Sequence, residues 1–248
     1  MIAHEQSKGQ PGHPDQKVAS GAESNPVGEE ALAHAVSFGY SEDELKTVPA
    51  EAFISHGCGN AVSRAWLRQG EIVVDLGSGA GLDAFLAARR VGPAGRVIGV
   101  DLTLERVERA NRAARKANIA NVEFIHAPIE RLPLGDGSVD VAISNCVLNH
   151  CTDKLRAFRE VFRVLRVGGR LCVSDLVTSG TFSEAALKDE VWGEWLRAAQ
   201  ERGDYLRAIE QAGFQAVTVE GEAVFPMAER DDRLKGQITS IWLRARKG

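Results

Sequence analysis

A glycine-rich turn restricts the fold of this chain more than any other feature. The turn, Gly77–Gly81, carries three glycines at alternate positions, follows the apolar run Glu71–Leu76 and precedes a helix-like segment that begins near Leu82. Glycines between a strand and a helix permit a tight turn and let backbone N–H groups approach a ligand closely. The pattern therefore predicts a strand–turn–helix unit whose turn faces a bound molecule.

Short apolar runs alternate with helix-like segments through most of the chain. The runs are Glu71–Leu76, Arg96–Val100, Val122–His126, Val139–Ser144 and Arg170–Leu176, with two further strands expected near Ala216–Glu220 and Gln237–Arg244. Runs of this length that are rich in Val, Ile and Leu are typical of buried parallel strands. The alternation predicts an α/β fold, with a mostly parallel seven-stranded sheet and helices on both faces.

Two helical regions have clear sequence signals. Lys154–Leu165 has an apolar stripe at helical spacing, and Gly168–Gly169 is expected to close that helix. Residues 29–70 resemble a helical lead-in, in which Ser41 and Glu44 have the spacing of a capping box. We therefore predict a single domain over residues 29–248, preceded by a disordered or loosely attached leader over residues 1–28.

Composition excludes several classes of partner. The net charge of -4 gives no basic footprint for nucleic acid. No apolar run approaches the length of a membrane span, and the polar N-terminus lacks the apolar core of a signal peptide. We therefore expect a cytoplasmic protein that binds neither nucleic acid nor membrane, and we expect a monomer.

Four cysteines stand in a chain without an export signal, so we expect free thiols in a reducing compartment. They are Cys58, Cys146, Cys151 and Cys172, and their spacing matches no common zinc pattern. Cys172 falls inside a predicted strand, where buried free cysteine is common, and is interpreted as a core residue. Cys58 is flanked by glycines on a predicted loop and is harder to explain in that way.

The glycine turn departs from the dinucleotide pattern G-x-G-x-x-G, in which a helix N-terminus receives a pyrophosphate. It reads G-x-G-x-G, and Asp75 stands two residues before the first glycine. This arrangement resembles the S-adenosylmethionine loop of class I methyltransferases. The resemblance implies a Rossmann-like class I fold and S-adenosylmethionine as the cofactor. Asp75 would then orient the amino acid end of that cofactor.

A second acid follows at the end of the next apolar run. Asp101 stands 20 residues after Gly81, where a carboxylate can accept hydrogen bonds from both ribose hydroxyls; capping the next helix is the alternative role. The resemblance sets Ile129 and Glu130 beside the adenine, although a surface turn explains them equally well. The residues expected to bind the cofactor are Asp75, Gly77, Ser78, Gly79, Gly81, Asp101, Leu102, Ile129, Glu130 and Asn145.

Several further stretches resemble the arsenite methyltransferase family. They are residues 39–45 (GYSEDEL), 56–60 (HGCGN), 75–88 (DLGSGAGLDAFLAA), 99–103 (GVDLT), 144–147 (SNCV) and 239–245 (TSIWLRA). Together they extend from Gly39 almost to the C-terminus. The resemblance assigns Cys58 and Cys146 to the arsenic-binding site. Trivalent arsenic is soft and favours thiolates over oxygen or nitrogen ligands, by the logic that governs metals.

The implied reaction requires few other groups. Thiolate-bound trivalent arsenic keeps a lone pair that can attack the sulfonium methyl in line, so no general base is needed. Catalysis would then depend mainly on a near-attack geometry. The arsenic becomes formally pentavalent, and a thiol reductant, glutathione or thioredoxin, would return it to the trivalent state.

One departure from the family pattern concerns the substrate. Members commonly carry another arsenic-binding cysteine after the fifth strand, whereas this chain has none between residues 177 and 203. Either Cys151 supplies the missing thiolate, or the site uses two thiolates and favours an organic trivalent arsenical. In the second case, Trp192 or Trp195 would contact the organic group.

Two other functions remain open from the sequence. The first is a methyltransferase that acts on carbon, oxygen or nitrogen of another small molecule, which would usually need a proton acceptor. The second is a non-catalytic protein that binds S-adenosylmethionine or an arsenical. His56 and His150 neighbour Cys58 and Cys151 and could lower a thiol pKa, but ordinary loop histidines are the simpler interpretation.

Overall fold

The computed structural model describes residues 29–53, 57–189, 193–226, 228 and 231–248, so the predicted leader, residues 1–28, lies outside the described part of the chain. The helices are α1 (Glu29–Ser37), α2 (Glu42–Leu45), α3 (Ala61–Arg64), α4 (Leu82–Val91), α5 (Leu104–Lys116), α6 (Lys154–Val164), α7 (Glu184–Leu187), α8 (Gly193–Ala198) and α9 (Arg202–Gln211). The strands are β1 (Ile72–Leu76), β2 (Arg96–Asp101), β3 (Val122–His126), β4 (Val139–Asn145), β5 (Leu165–Thr178), β6 (Gln215–Val224) and β7 (Ile238–Arg246). Short 3-10 helices occupy Ala50–Ala52, Ile129–Arg131 and Leu148–His150. Among the described residues, no helix combines the length and apolar character needed to cross a bilayer.

Seven strands form one sheet in the order β3-β2-β1-β4-β5-β7-β6. β7 runs antiparallel to both of its neighbours, and the other pairings are parallel. The predicted mostly parallel seven-stranded sheet is therefore confirmed. The strand order reverses between β1 and β4, which opens a crevice beyond their carboxyl ends, where ligands of such sheets bind.

Helices cover both faces of the sheet, because alternate side chains of each buried strand point to opposite sides. On β1, Val74 and Leu76 join the apolar cluster that contains Phe158 of α6 and Ile209 of α9. Val73 joins the opposite cluster, which contains residues of α1, α4 and α5. The crevice is thus walled by packed elements on both sides.

The predicted lead-in consists of short helices. Glu44 N–H donates to Ser41 Oγ at 3.2 Å, and Ser41 N–H donates to Glu44 Oε2 at 3.3 Å, so the capping box is confirmed. This box begins α2 and brings Leu45 into the core. The lead-in therefore packs as part of the domain.

The end of α6 differs from the prediction. Leu165 is already extended, with ψ at 137°, and pairs with Val139 at the start of β5. Gly168, which was expected to help close the helix, lies within the strand at φ +76°. The prediction that the glycine pair ends the helix is wrong, because Leu165 is fully buried and begins the strand pairing before the glycines are reached.

A buried ion pair joins the lead-in to the centre of the sheet. The Arg170 guanidinium donates to both carboxylate oxygens of Glu71, each at 2.8 Å, and to the carbonyl oxygens of Ala65 and Trp66. The two charged side chains are only 13% and 9% exposed. Bidentate pairing of this kind is the strong form of a charged hydrogen bond.

We predict that Arg170→Met lowers the free energy of unfolding by about 3–5 kcal/mol, because it leaves the buried Glu71 carboxylate without its partner. Chemical denaturation measures the change. Arg96→Met is the matched control, since the Arg96–Glu123 pair is 59% and 43% exposed. Its loss should cost less than about 1 kcal/mol.

The loss of unfolding free energy caused by Arg170→Met should depend on pH. Burial raises the pKa of the Glu71 carboxyl, but hydrogen bonds from Arg170 outweigh burial and hold the pKa below its ordinary value. The stabilisation is therefore present above the unfolded-state pKa of about 4.3 and is lost as pH falls through the lower folded-state pKa. The difference between wild type and Arg170→Met should narrow in acid. A difference that stays constant from neutral to strongly acidic pH would contradict this explanation.

Candidate active site

The crevice beyond β1, β4 and β5 gathers most of the residues that the sequence singles out. The glycine turn follows β1, Cys146 follows β4, and Asp175 lies in the carboxyl half of β5. The loop that carries Cys58 comes from the lead-in and is hydrogen-bonded to β4 and β7. Two neighbouring sites result, one at the glycine turn and one at the cysteines.

Left-handed backbone shapes the glycine turn, with φ at +66° for Gly77, +55° for Gly79 and +102° for Gly81. A Cβ on Gly77 would lie 2.4 Å from the side chain of Val147, and one on Gly81 would lie 2.6 Å from the ring of Phe124. Gly79 instead faces open space. Its backbone is therefore the part of the turn that a ligand can approach most closely.

The Asp101 carboxylate is hydrogen-bonded both to the glycine turn and to the residue that precedes α5. Gly79 N–H donates to Asp101 Oδ2 at 2.8 Å, and Thr103 N–H donates to Asp101 Oδ1 at 2.8 Å. Thr103 precedes α5 but makes no side-chain capping bond. The acid thus organises the start of α5 itself. Each carboxylate oxygen has a lone pair left for a ligand hydroxyl.

Buried carboxylates cluster beneath the turn. Asp75, Asp83 and Asp101 are 2%, 8% and 5% exposed. Burial, followed by the charges of Asp83 and Asp101, raises the pKa of Asp75 well above its ordinary range, and burial also raises the pKa of Asp83. Asp75 Oδ2 has no hydrogen-bond partner in the described part of the chain. A cationic amino group beside Asp75 would relieve this unfavourable burial.

The remaining predicted cofactor residues lie around the same turn. Ser78 is buried, and among the described residues its hydroxyl finds no partner. Leu102 is 48% exposed and directly follows Asp101. Ile129 packs into the core, whereas Glu130, the next residue of the same 3-10 helix, is half-buried. Their roles toward a cofactor remain predictions.

The structure brings the two predicted arsenic ligands together. The sulfur atoms of Cys58 and Cys146 and a carboxylate oxygen of Asp175 all lie within 4.8 Å of one another. Cys58 and Asp175 are fully buried, and Cys146 is partly exposed. Burial raises the pKa of the Cys58 thiol, and neighbouring Cys146 and Asp175 raise it further. This thiol therefore stays protonated at neutral pH until an electrophilic ligand displaces its proton.

Asn145 fixes the Cys58 loop. Its Oδ1 accepts from Cys58 N–H at 3.1 Å, and its Nδ2 donates to Gly59 O at 2.7 Å. Ser240 Oγ donates to Cys58 O at 2.5 Å. A Cβ on Gly59 would lie 2.6 Å from Ser174 Cβ, so the loop passes closely over β5. The sequence predicts that Asn145 binds the cofactor, but its amide is directed at the cysteine loop.

A buried tyrosine connects the two sites. Tyr40 Oη donates to Asp83 Oδ1 at 2.6 Å and accepts from Asn145 Nδ2 at 3.0 Å. Asn145 Nδ2 also lies 3.2 Å from Asp83 Oδ2. The first turn of α4, which carries Asp83, therefore contacts the residue that holds Cys58.

Cys146 has a backbone conformation that is rare for its residue type, with φ at +59°. Such left-handed conformations cost about 1–3 kcal/mol outside glycine and cluster at functional sites. Its N–H donates to Ser174 O at 2.8 Å, which keeps the turn attached to β5. The strain turns the chain sharply after β4, at the position of the predicted ligand.

Asp175 is held rigidly. Its Oδ2 accepts from Tyr205 Oη at 2.9 Å and from Asn149 N–H at 3.0 Å, and its Oδ1 accepts from Leu176 N–H at 2.8 Å. Burial raises the pKa of its carboxyl to about 6. The carboxylate is therefore charged at neutral pH and fixed in orientation.

Cys151 is not a member of the Cys58–Cys146–Asp175 group. It belongs to the apolar cluster on the α6 face, and its Sγ lies 4.0 Å from Val147 O. Cys172 is buried in β5, as expected for a core residue. Trp192 and His56 lie outside the described residues, as does the side chain of Trp195.

The sequence analysis does not single out Asp83, Asp175, Tyr40 or Ser240 as site residues. Asp175 has a readable signal, because it is an acid near the end of a predicted strand, as Asp101 is. Tyr40 and Ser240 lie within family-like stretches. Their partners, however, stand 43 or more residues away in the chain, and no local pattern reveals such contacts.

Comparison with known proteins identifies the family. A methyltransferase domain model matches residues 67–213. The arsenite methyltransferase of Halobacterium salinarum is 41% identical over 214 residues, which cover 84% of this chain and 55% of that protein. The human arsenite methyltransferase is 35% identical over 172 residues, 63% of this chain and 44% of that protein. This chain thus spans about half the length of the curated relatives that it matches.

A solved structure agrees with these relatives. The crystal structure of an arsenic(III) S-adenosylmethionine methyltransferase from Chlamydomonas reinhardtii superposes with a TM-score of 0.67 at 31% identity. The match covers 88% of this chain and 73% of that one. The chain therefore belongs to the arsenic(III) S-adenosylmethionine methyltransferase family and has the fold of a class I methyltransferase.

Proposed function

We propose that this protein transfers a methyl group from S-adenosylmethionine to trivalent arsenic bound by the thiolates of Cys58 and Cys146. The observation that carries the proposal is the proximity of these two sulfurs, within 4.8 Å of each other, beside a glycine turn lined with buried acids. Family membership supports the same reaction. The relatives' full activity is not assumed, because the chain spans only part of their length.

The residues at the glycine turn fit the cofactor. Asp75, with an unpartnered buried oxygen, suits a cationic amino group, and Asp101 has lone pairs available for ribose hydroxyls. We assign the adenine to the surface formed by Leu102, Ile129 and Glu130. When bound, S-adenosylmethionine would supply an electrophilic methyl group to the arsenic lone pair, and its S–CH3 bond would break to release S-adenosylhomocysteine. Backbone packing at Gly77 and open space at Gly79 agree with a closely seated ligand.

The thiols would hold the arsenical by ligand exchange. With an organic arsenical that carries two hydroxyl groups, two As–S bonds form and two As–O bonds break. The two thiol protons leave with the hydroxyls as two water molecules. No charged thiolate needs to exist beforehand, which suits the raised pKa of the buried Cys58 thiol. The protein's contribution is then to fix the arsenic in a near-attack position.

Two neighbouring sulfurs favour an organic trivalent arsenical over arsenite. Arsenite has three exchangeable positions, whereas an arsenical that already carries one carbon has two. Cys151 belongs to the apolar cluster on the α6 face and is not a member of the group whose ligand atoms lie within 4.8 Å of one another. We therefore infer that methylarsenite or a larger organic arsenical is the preferred acceptor.

Other parts of the reaction remain proposals. Methylation leaves arsenic pentavalent, so a thiol reductant such as glutathione or thioredoxin would restore the trivalent state. The four cysteines form no disulfide in the described part of the chain, and we propose a reducing cytoplasm as the compartment. A single methyltransferase domain over residues 29–248 and a monomeric state also remain proposals.

We predict that Cys58→Ser and Cys146→Ser each lower the rate of methylarsenite methylation at least about 100-fold, because arsenic loses its fixed position. Purified protein, S-adenosylmethionine and excess thiol are incubated with arsenite or methylarsenite, and products are separated with arsenic-specific detection. Cys172→Ala is the control, since this thiol lies in the core of β5. It should retain most of the activity.

Either of two results would change the proposal. Wild-type rates in Cys146→Ser would exclude thiolate-bound arsenic and favour a methyltransferase that acts on another small molecule. Equal turnover of arsenite and methylarsenite would remove the organic preference but leave arsenic methylation intact.

Asp101 provides a separate test of the cofactor site. Asp101→Ala removes the carboxylate proposed to accept hydrogen bonds from the ribose hydroxyls, which should cost about 2 kcal/mol of binding free energy. The Kd of S-adenosylhomocysteine, measured by calorimetry, should rise about 30-fold. Asp136→Ala removes an acid of which 81% of the side chain is exposed, in a surface turn, and should leave the Kd unchanged. An unaltered Kd in Asp101→Ala would contradict the assigned cofactor position.

The role of Asn145 can be tested by comparing the affinities for methylarsenite and for S-adenosylhomocysteine. If it positions Cys58, Asn145→Ala should weaken methylarsenite binding about tenfold or more and change the Kd of S-adenosylhomocysteine much less. Asn111→Ala is the matched control, because Asn111 bridges α5 to the backbone of Phe124 with the same two amide atoms. A larger loss of cofactor affinity than of arsenical affinity would instead support the cofactor role predicted from sequence.

A further inference from the structure

The arsenical chemistry proposed for Cys58 and Cys146 makes no use of Asp175. Its carboxylate is nevertheless fully buried and lies within 4.8 Å of both sulfurs. We propose that Cys58, Cys146 and Asp175 form a binding site for a thiophilic divalent cation, such as Zn²⁺ or Cd²⁺, and that this cation excludes the arsenical. The inference goes beyond the proposed function, and the cation can be tested without any methyl transfer.

The distances suit such a cation. Zinc bonds thiolate sulfur at about 2.3 Å and carboxylate oxygen at about 2.0–2.2 Å, so tetrahedral ligands stand about 3.6–3.8 Å apart. The three ligand atoms here lie within 4.8 Å of one another. A contraction of about 1.2 Å or less would therefore bring the three ligand atoms to these separations. Side-chain rotation of the partly exposed Cys146 can supply much of it.

Asp175 is oriented as a metal ligand usually is. A carboxylate offers about four lone-pair positions. Three are used by hydrogen bonds from Tyr205 Oη, Asn149 N–H and Leu176 N–H. One position remains for a cation. Hydrogen bonds from surrounding groups that fix a ligating carboxylate are typical of protein metal sites.

Charge balance also fits a cation. Once a cation displaces both thiol protons, the two thiolates and the carboxylate carry three negative charges, which would repel one another strongly without it. A divalent cation neutralises two of the three charges. Binding balances as one cation plus two thiols and one carboxylate, which gives two cation–sulfur bonds, one cation–oxygen bond and two released protons. A fourth ligand, such as water, could reach the cation from the partly exposed side of Cys146.

The two kinds of ligand should depend differently on Asp175. A trivalent organic arsenical reaches its full set of bonds with two sulfurs and its carbon. A divalent cation needs a third protein ligand to bind well at a tetrahedral site. Asp175→Asn should therefore weaken binding of the cation and leave binding of the arsenical unchanged.

The experiment uses Cd²⁺ alone as the probe, on the full chain with reduced thiols and without S-adenosylmethionine. The ultraviolet absorption of cadmium–thiolate bonds reports binding. We expect one cadmium per chain, and we expect this signal to be lost in Cys58→Ser and Cys146→Ser. It should persist in Cys172→Ala, whose thiol lies in the core of β5 and outside the trio. In Asp175→Asn the Kd should rise about 10–100-fold.

X-ray absorption at cadmium on the wild-type protein keeps the proposal testable if Asp175→Asn fails to fold. Two sulfur ligands with oxygen in the same shell are expected. A shell with fewer than two sulfurs, or a folded Asp175→Asn variant with wild-type cadmium affinity, would overturn the proposal. Addition of methylarsenite should release the cadmium. Cadmium that stays bound in excess methylarsenite would contradict the proposal that the cation excludes the arsenical. Failure of methyl transfer alone would count only against the proposed function.

Discussion

The carboxamide of Asn145 is the contact on which the rest of the site depends. One side chain accepts from the Cys58 backbone, donates to Gly59 and contacts both Tyr40 and Asp83. A half-buried amide of this kind must keep its partners, because each unpaired polar group costs about 1–3 kcal/mol. These contacts hold the Cys58 loop in place relative to the glycine turn, as the proposed methyl transfer between the two sites requires.

Both the glycine turn and the cysteine site bury acidic groups that form no salt bridge with a cationic side chain in the described part of the chain. Asp75, Asp83 and Asp101 underlie the glycine turn, and Asp175 stands beside the two thiols. Burial raises the pKa of Asp75, Asp83 and Asp175, so these carboxyls lower the free energy of unfolding at neutral pH. The cost is offset when cationic or electrophilic ligands arrive. The strained turn at Cys146 is a second local cost that serves the same site.

Much of this architecture is predictable from the sequence, because it rests on local patterns. Strand runs, the Ser41 capping box and the glycine turn each follow from residue order, and all three are found in the structure. The predicted end of α6 is wrong, because the pairing of Leu165 with Val139 in the sheet overrides the Gly168–Gly169 signal. Chain order gives no measure of the distance from Cys151 to the cysteine pair. The network through Tyr40 joins residues 105 positions apart and depends on how the lead-in packs, which no periodicity encodes.

In the proposed reaction, arsenic is bound by two protein sulfurs and by no third. X-ray absorption at arsenic, on the wild-type protein loaded with one equivalent of methylarsenite, measures this directly. We expect two As–S bonds and one As–C bond, and the same shell in a Cys151→Ala variant. Three As–S bonds, or a shell in which oxygen replaces sulfur, would contradict it.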